Sequence, residues 1–297
     1  MNTSRRSFLA AAVGGASVAA TIADARGAEL PAQGKDGFAR PSQMKLGLVT
    51  YNLAKDWDVP TIIQRCSKAR FDGVELRTTH KHGVEVTLTA AQRAEVRKRF
   101  ADSPVELFSL GSAFDYHTPD ASKLRRDIED TKAYLQLARD VGASGIKVRP
   151  NDLPAGVPEE RTLAQIGRSL RELGETAASL GLVVRLEVHG SKTSSLPRIR
   201  RILDEANHKA VGACWNSNQT DLDGDGLESN FNLVRDRIVE VHLRDLFLSE
   251  YPFRHLFKLL MASGYRGYTL AEIPESADPV RVMQYFRGMW LAYQGLL

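Results

Sequence analysis

The sequence predicts a single-domain (β/α)8 TIM barrel, and three observations carry that expectation. Between residues 45 and 297, eight short apolar runs alternate with eight stretches of helical periodicity, which is the count of eight strand–helix units. Four of the later runs each deliver a polar residue at their carboxyl end, where a barrel of this kind exposes its functional groups. No glycine-rich phosphate loop follows the first run, which sets aside the rival doubly wound open sheet.

The chain has 297 residues, 43% of them hydrophobic, with 40 basic against 36 acidic side chains. This is ordinary globular composition with room for one large core. The net charge is +4, and Arg5 and Arg6 against Asp24 account for one of those charges. So small an excess gives no reason to expect a nucleic-acid partner. The clusters Arg97-Lys98-Arg99 and Arg198-Ile199-Arg200-Arg201 fall inside helical periodicity and read as solvated helix faces.

Ser4-Arg5-Arg6-Ser7-Phe8-Leu9 matches the twin-arginine export motif, an apolar stretch runs from Leu9 to Ile22, and Ala23-Asp24-Ala25 offers an A-x-A cleavage site. Residues 1–25 are therefore read as a signal peptide for the twin-arginine export machinery, and the mature protein is expected to be periplasmic or secreted. The apolar stretch is shorter than the roughly 20 residues a spanning helix needs. Residues 26–44, rich in Gly, Ala and Pro, read as a linker, and residues 45–297 as the barrel. Cys66, in the first helix, and Cys214, in a buried strand, read as free thiols, because a bridge between them would have to cross the structure.

The first apolar run spans residues 46–51, and helical spacing follows over 59–69. The second run, 73–77, precedes a helix over 89–101, and the third, 104–110, precedes the long helix 121–141. The fourth run, 145–149, leads to a helix over 159–181. The fifth, Val183-Val184-Arg185-Leu186-Glu187-Val188-His189-Gly190, places an acid and an imidazole two residues apart and therefore on one face. A helix over 195–207 follows it. The sixth run, 211–216, leads to a weaker helix over 228–235, the seventh, 238–243, to a helix over 251–264, and the eighth, 267–273, to a final helix over 278–296.

Period two along each strand decides which side chains can meet inside the barrel. The sequence expectation is that Glu187, Asn216, His242 and Glu272, near the ends of strands five to eight, converge. Two carboxylates, an imidazole and an amide oxygen make an oxygen-rich set for Mn²⁺, Mg²⁺, Co²⁺ or Zn²⁺. On strand four Lys147 and Arg149 share a face, and on strand two Glu75 and Arg77 do.

The order of Glu at strand five, an amide at six, His at seven within Val241-His242-Leu243-Arg244-Asp245, and Glu at eight resembles the xylose isomerase-like TIM barrels, the sugar phosphate isomerase/epimerase superfamily, over residues 45–295. The resemblance implies metal ligation by Glu187, His242 and Glu272, with Asn216 standing where the family has an aspartate. For members acting on ketoses it also implies that the two glutamates, Glu187 and Glu272, move protons on opposite faces of the substrate through an enediolate. Lys147 and Arg149 are placed to stabilise developing oxyanion charge. With Arg149, the residues expected to face substrate are Glu75, His189 and His117. A DNA-repair relative of this superfamily has a histidine three residues beyond the strand-six acid; here that place is Gln219, so no nucleic-acid substrate is expected.

These readings lead to a divalent-metal-dependent isomerase or epimerase of a sugar or keto-sugar, exported and therefore acting on an unphosphorylated carbohydrate. Two alternatives stand beside it: a lyase or hydratase of 3-keto-sugars or glycosides by the same chemistry, and a barrel that binds a sugar without turnover. Three loop features stay open in meaning. His80-Lys81-His82 reads either as a rim element or as a solvated loop, and Phe114-Asp115-Tyr116-His117 as a sugar-stacking wall or a plain turn. Asp221-Leu222-Asp223-Gly224-Asp225-Gly226 imitates a calcium loop but has Asn232, not a glutamate, at the twelfth position. The aromatic stripe Tyr265, Tyr268, Phe286, Trp290, Tyr293 reads as core or as the contact of a homo-oligomer.

Overall fold

The computed structural model describes residues 42–297; residues 1–41, read above as a signal peptide and most of a linker, lie outside the described residues. Eight strands run in chain order as β1 (Lys45–Val49), β2 (Gly73–Arg77), β3 (Glu106–Asp115), β4 (Gly145–Arg149), β5 (Val183–Glu187), β6 (Val211–Asn216), β7 (Ile238–Leu243) and β8 (Tyr268–Ala271). Each pairs in parallel with the next, and β8 pairs with β1, so the sheet closes on itself as the predicted barrel. Strands covered on both faces need apolar residues on both, which is why the runs read as continuous and not as alternating.

The helices are α1 (Val59–Ala69), α2 (Ala90–Ala101), α3 (Ala121–Val141), α4 (Glu159–Leu180), α5 (Leu196–Ala206), α6 (Gly226–Val234), α7 (Phe253–Ala262) and α8 (Pro279–Tyr293). Their starts and stops follow local chemistry. Asp58 accepts a hydrogen bond from the Thr61 amide to open α1, and Thr89 with Gln92 forms a reciprocal capping box at α2. On α5 the buried face is Leu196, Ile199, Ile202, Leu203 and Ala206, at spacings of three and four. The basic cluster on its other face pairs outward, Arg198 with Glu159, Arg200 with Asp204 and Arg201 with Glu160. None of the described helices is long and apolar enough to cross a membrane.

Two strand ends differ from expectation in ways that matter. β3 continues five residues past Leu110 to Asp115, because Ser112 donates to the Lys147 carbonyl at 2.7 Å and Asp115 stands in register with Arg149. A run of Gly, Ser and Ala carries no strand signal of its own, and the pairing with β4 supplies the order. β8 stops at Ala271, so Glu272 sits just beyond the strand.

The calcium-loop resemblance is not realised. Residues Gln219–Leu222 form a 3₁₀ turn in which Asp221 is fully buried, accepting from the Tyr251 hydroxyl at 2.6 Å and the Asn218 amide at 3.1 Å. Tyr251 in turn accepts from the Trp215 indole at 3.2 Å, so the chain Trp215–Tyr251–Asp221 ties the loop after β6 to that after β7. Burial pushes the Asp221 carboxyl up to about 8, against the hydrogen bonds from Tyr251 and Asn218 that favour its ionised form. A carboxyl raised in the fold loses stabilisation as pH climbs from its ordinary value of 3.8 towards 8, by at most about 1.4 kcal/mol per pH unit. Asp221→Asn, which cannot ionise, is therefore expected to melt progressively higher than the parent as pH rises across that window. Parallel pH–melting curves for the two proteins would sink this account.

The C-terminal aromatic stripe is mainly core. Tyr268, Phe286 and Trp290 are buried, with the Trp290 indole donating to Thr269 Oγ1 at 2.8 Å.

Candidate active site at the carboxyl ends of the strands

The register of the barrel decides what meets. Asn216 stands opposite His242 across β6 and β7, and Glu187 opposite Cys214 across β5 and β6. Because Glu187, Asn216 and His242 all lie at the carboxyl ends of their strands with side chains turned inward, they face one another at the mouth. The His242 ring lies between two sets of carboxylates. Its Nδ1 is 3.6 Å from Glu187 Oε1 and 3.8 Å from Glu272 Oε2, while its Nε2 is 3.2 Å from Glu240 Oε1 and 3.6 Å from Glu75 Oε1. Glu187, His242 and Glu272 offer ligand atoms all within 4.8 Å of one another. Asn216 joins them, its amide donating to Glu187 Oε1 at 3.3 Å. The four residues expected to converge do so.

Lys147 holds the other oxygen of Glu187, Nζ to Oε2 at 2.7 Å, and both side chains are buried. Burial works against the charge on each, but each outweighs it for the other. The Lys147 ammonium keeps Glu187 well below the carboxylate range, and Glu187 with Glu75 keeps Lys147 above the ordinary lysine value. For His242, burial disfavours a charge, yet the groups around it, Glu75 and Glu187 among them, raise it well above an ordinary imidazole. Burial lowers His189, with the charge of Glu187 opposing the shift.

The remaining expected residues divide. Arg149 donates Nη2 to the Ala113 carbonyl at 3.1 Å and keeps a buried Nε without a partner, and half-buried His189 keeps Nδ1 without one. Such unmet polar atoms at a barrel mouth suit a hydroxyl-rich ligand. His117 lies apart from the cluster, 3.0 Å from Asp115 Oδ1, whose other oxygen accepts from Asn151 at 3.2 Å. Gly190, at φ 99, lets the loop after β5 close on that after β4, since any Cβ there would overlap the Asn151 carbonyl.

Glu75 is a correction. It was expected to face substrate, but it is fully buried on the Nε2 side of His242, opposite Glu187 and Glu272. Neither of its oxygens has a hydrogen-bond partner, and burial, then the charge of Glu240, pushes it up to about 8. Gly111 on β3 makes its room, for a Cβ there would lie 2.9 Å from Glu75 Cδ. The loop residues also sort themselves. His82 bonds the Arg77 carbonyl and the Val84 amide, and Tyr116 is buried on Thr131, so both are structural.

Two residues were not among those expected at the site. Glu240, inside the apolar run of β7 and two residues before His242, carried the same signal as Glu187, a buried acid in a strand. Asp115 was hidden because nothing local showed that β3 reaches that far.

The fit to a cation rests on this geometry. His242 Nδ1 is buried with no hydrogen-bond partner, and it faces two carboxylates. A divalent ion satisfies an imidazole nitrogen and neighbouring carboxylates together.

The fold and this site define a TIM barrel with a carboxylate–imidazole centre at its catalytic face. Residues 63–288 match the xylose isomerase-like TIM barrel family, to which the chain belongs. No curated protein matches the sequence. Among solved structures, the chain resembles the apo form of 3-keto-D-glucoside 4-epimerase from E. coli, with 21% identity, TM-score 0.70, and coverage of 84% of this chain and 99% of that one. It also resembles the IolI protein with a bound zinc atom, at 16% identity and TM-score 0.72, covering 84% and 98%. A third is D-psicose 3-epimerase from Clostridium cellulolyticum H10 with D-tagatose, at 13% identity and TM-score 0.73, covering 84% and 99%.

Proposed function

We propose that the protein is a divalent-metal-dependent isomerase or epimerase of a sugar or keto-sugar. The observation that carries the reading is the meeting of Glu187, Glu272 and the unpaired Nδ1 of His242 at the barrel mouth. Epimerases of 3-keto-D-glucoside and D-psicose on the same fold support the substrate class, and the zinc in IolI supports the cofactor.

Glu187, His242 and Glu272 would hold the ion, with Asn216 beside them. When bound, Mn²⁺, Co²⁺, Zn²⁺ or Mg²⁺ supplies Lewis-acid polarisation of a carbonyl and acidifies the neighbouring C–H. Glu272, whose side chain is one-fifth exposed and free of any lysine, takes that proton. Glu187 is the other proton carrier, on the opposite face, and Lys147, 2.7 Å from it, keeps it ionised until it takes a proton in its turn. Arg149 and His189 bind the hydroxyls.

The test is solvent exchange. Incubation with a ketose or a 3-keto-glucoside in D2O and Mn²⁺, Co²⁺ or Zn²⁺ should place deuterium on the carbon beside the carbonyl, and EDTA should abolish it. No exchange with any of these ions would turn the reading to a sugar-binding barrel. A second reading is a lyase of 3-keto-glycosides, in which the same abstraction of a proton beside the carbonyl ends in loss of a leaving group from the neighbouring carbon. Release of the aglycone alongside exchange distinguishes it.

The departure at Asn216 has its own expected result. Asn216→Asp adds a ligand charge beside Glu187, so zinc should bind about 10- to 100-fold more tightly, while the metal-free protein melts lower from carboxylate repulsion. Competition with a chelator and paired melting curves measure both; unchanged affinity would place Asn216 outside the ligand set.

Export by the twin-arginine route to the periplasm or medium completes the proposal, supported by Arg5, Arg6 and the A-x-A site at residues 23–25. N-terminal sequencing of the exported protein tests it, with Arg26 expected as the first residue.

A further inference from the structure

We infer that Glu240 is a positioning residue that fixes His242 with its proton on Nε2, leaving Nδ1 bare towards Glu187 and Glu272. The inference rests on the metal reading above.

Glu240 lies on the same inward face of β7, two residues below His242, and its Oε1 is 3.2 Å from Nε2. An ionised carboxylate only accepts, so the imidazole nitrogen must donate. Glu240 is paired with a cation: the Arg185 guanidinium, always charged, stands with Nε 3.3 Å from Glu240 Oε2, an ion-pair distance. Arg185 is itself fixed, donating Nη2 to Ser144 Oγ at 2.8 Å and lying 4.4 Å over the Phe108 ring. Glu75 also faces Nε2, at 3.6 Å, but among the described residues no lysine or arginine pairs with it as Arg185 does with Glu240. The order Phe108 and Ser144, Arg185, Glu240, His242 therefore runs up the barrel from layer to layer. A carboxylate on the far nitrogen of a ligating histidine sets ring orientation and basicity, and its loss typically weakens metal binding 10- to 100-fold.

The near-isosteric variant Glu240→Gln makes the test sharp. Arg185 is donor-only and claims the amide oxygen, which turns the Gln amine towards Nε2. His242 must then accept at Nε2 and carry its proton on Nδ1, the face meant for the ion. Zinc affinity, measured by competition with a chromophoric chelator, should fall about 10- to 100-fold. The double variant Glu240→Gln, Arg185→Met frees the amide oxygen to accept from Nε2–H, with Met still packing on Phe108, and should recover most of that loss. Nitrogen-15 NMR of histidine in the zinc-loaded parent should show a protonated Nε2 and an unprotonated Nδ1. The same tautomer should be seen in the metal-free protein at alkaline pH, and be inverted by Glu240→Gln alone.

A folded Glu240→Gln protein with parent-like zinc affinity, or a parent whose neutral His242 carries its proton on Nδ1, overturns the inference. A parent that binds no zinc but shows the Nε2–H tautomer, inverted in Glu240→Gln, overturns the metal reading while leaving the positioning role of Glu240 in place.

Discussion

Replacing Glu187 and Glu272 together by glutamine should empty the site and stop the reaction. The parent is expected to carry near one equivalent of a divalent transition metal after purification in its presence, and the double variant essentially none. These are the two carboxylates that face His242 Nδ1, at 3.6 and 3.8 Å. Glutamine keeps their size but removes both the charge a cation needs and the groups that carry protons. Loss of general acid–base catalysis alone costs about 10²- to 10⁴-fold, and loss of the ion adds to it, so deuterium exchange should drop by roughly 10³-fold or more. Elemental analysis and exchange rates read the two losses separately. Metal content unchanged in a folded variant would mean that the ion sits elsewhere and that the convergence at His242 serves only packing.

Lys147→Met should be the most destabilising single change at the site. It leaves Glu187 buried without its 2.7 Å partner, and removing one member of a buried pair typically costs about 3–5 kcal/mol. For a domain of this size that is a fall in melting temperature on the order of 10 °C. The loss should shrink when zinc is present, because a bound cation neutralises the same carboxylate. It should shrink again in the double variant Lys147→Met, Glu187→Gln, where no buried charge remains unpaired. An equal fall with and without zinc would show that Lys147 matters for its packing and not for the charge of Glu187. The sign with pH follows from the depressed Glu187. Its contribution is present above the ordinary carboxylate value of 4.5 and is lost only as acid carries it through its lowered value in the fold. Lys147→Met should therefore lose most of its deficit in strong acid.

Much of this arrangement can be read from the chain alone because period two and strand-end position are local properties. Knowing that Glu187, Asn216, His242 and Glu272 end apolar runs is enough to put them at one mouth, once eight such runs close into a barrel. What lies beneath is different in kind. Whether Glu187 pairs with Lys147 or with Arg185 depends on the stagger between β4 and β5 and on which layer each side chain joins, and two basic residues on neighbouring strands look alike in one dimension. The structure gives Lys147 to Glu187 and Arg185 to Glu240, from a strand more than fifty residues further on. Glu75 went astray for the same reason. A strand-end acid and an acid one layer down have the same local pattern, and only the fully buried setting on the Nε2 side of His242 separates them. Asp115 needed the pairing of β3 with β4, which begins thirty residues later.

The bare Cα of Gly111 carries a liability out of proportion to its chemistry. It lies one strand away from Glu75 and contributes no functional group, yet any larger residue would drive Glu75 against His242 from below. In a saturation scan Gly111 should therefore behave like a ligand, with even alanine depressing zinc retention. Anyone grafting the four mouth residues onto another barrel would transplant the donors without the hollow that lets them settle.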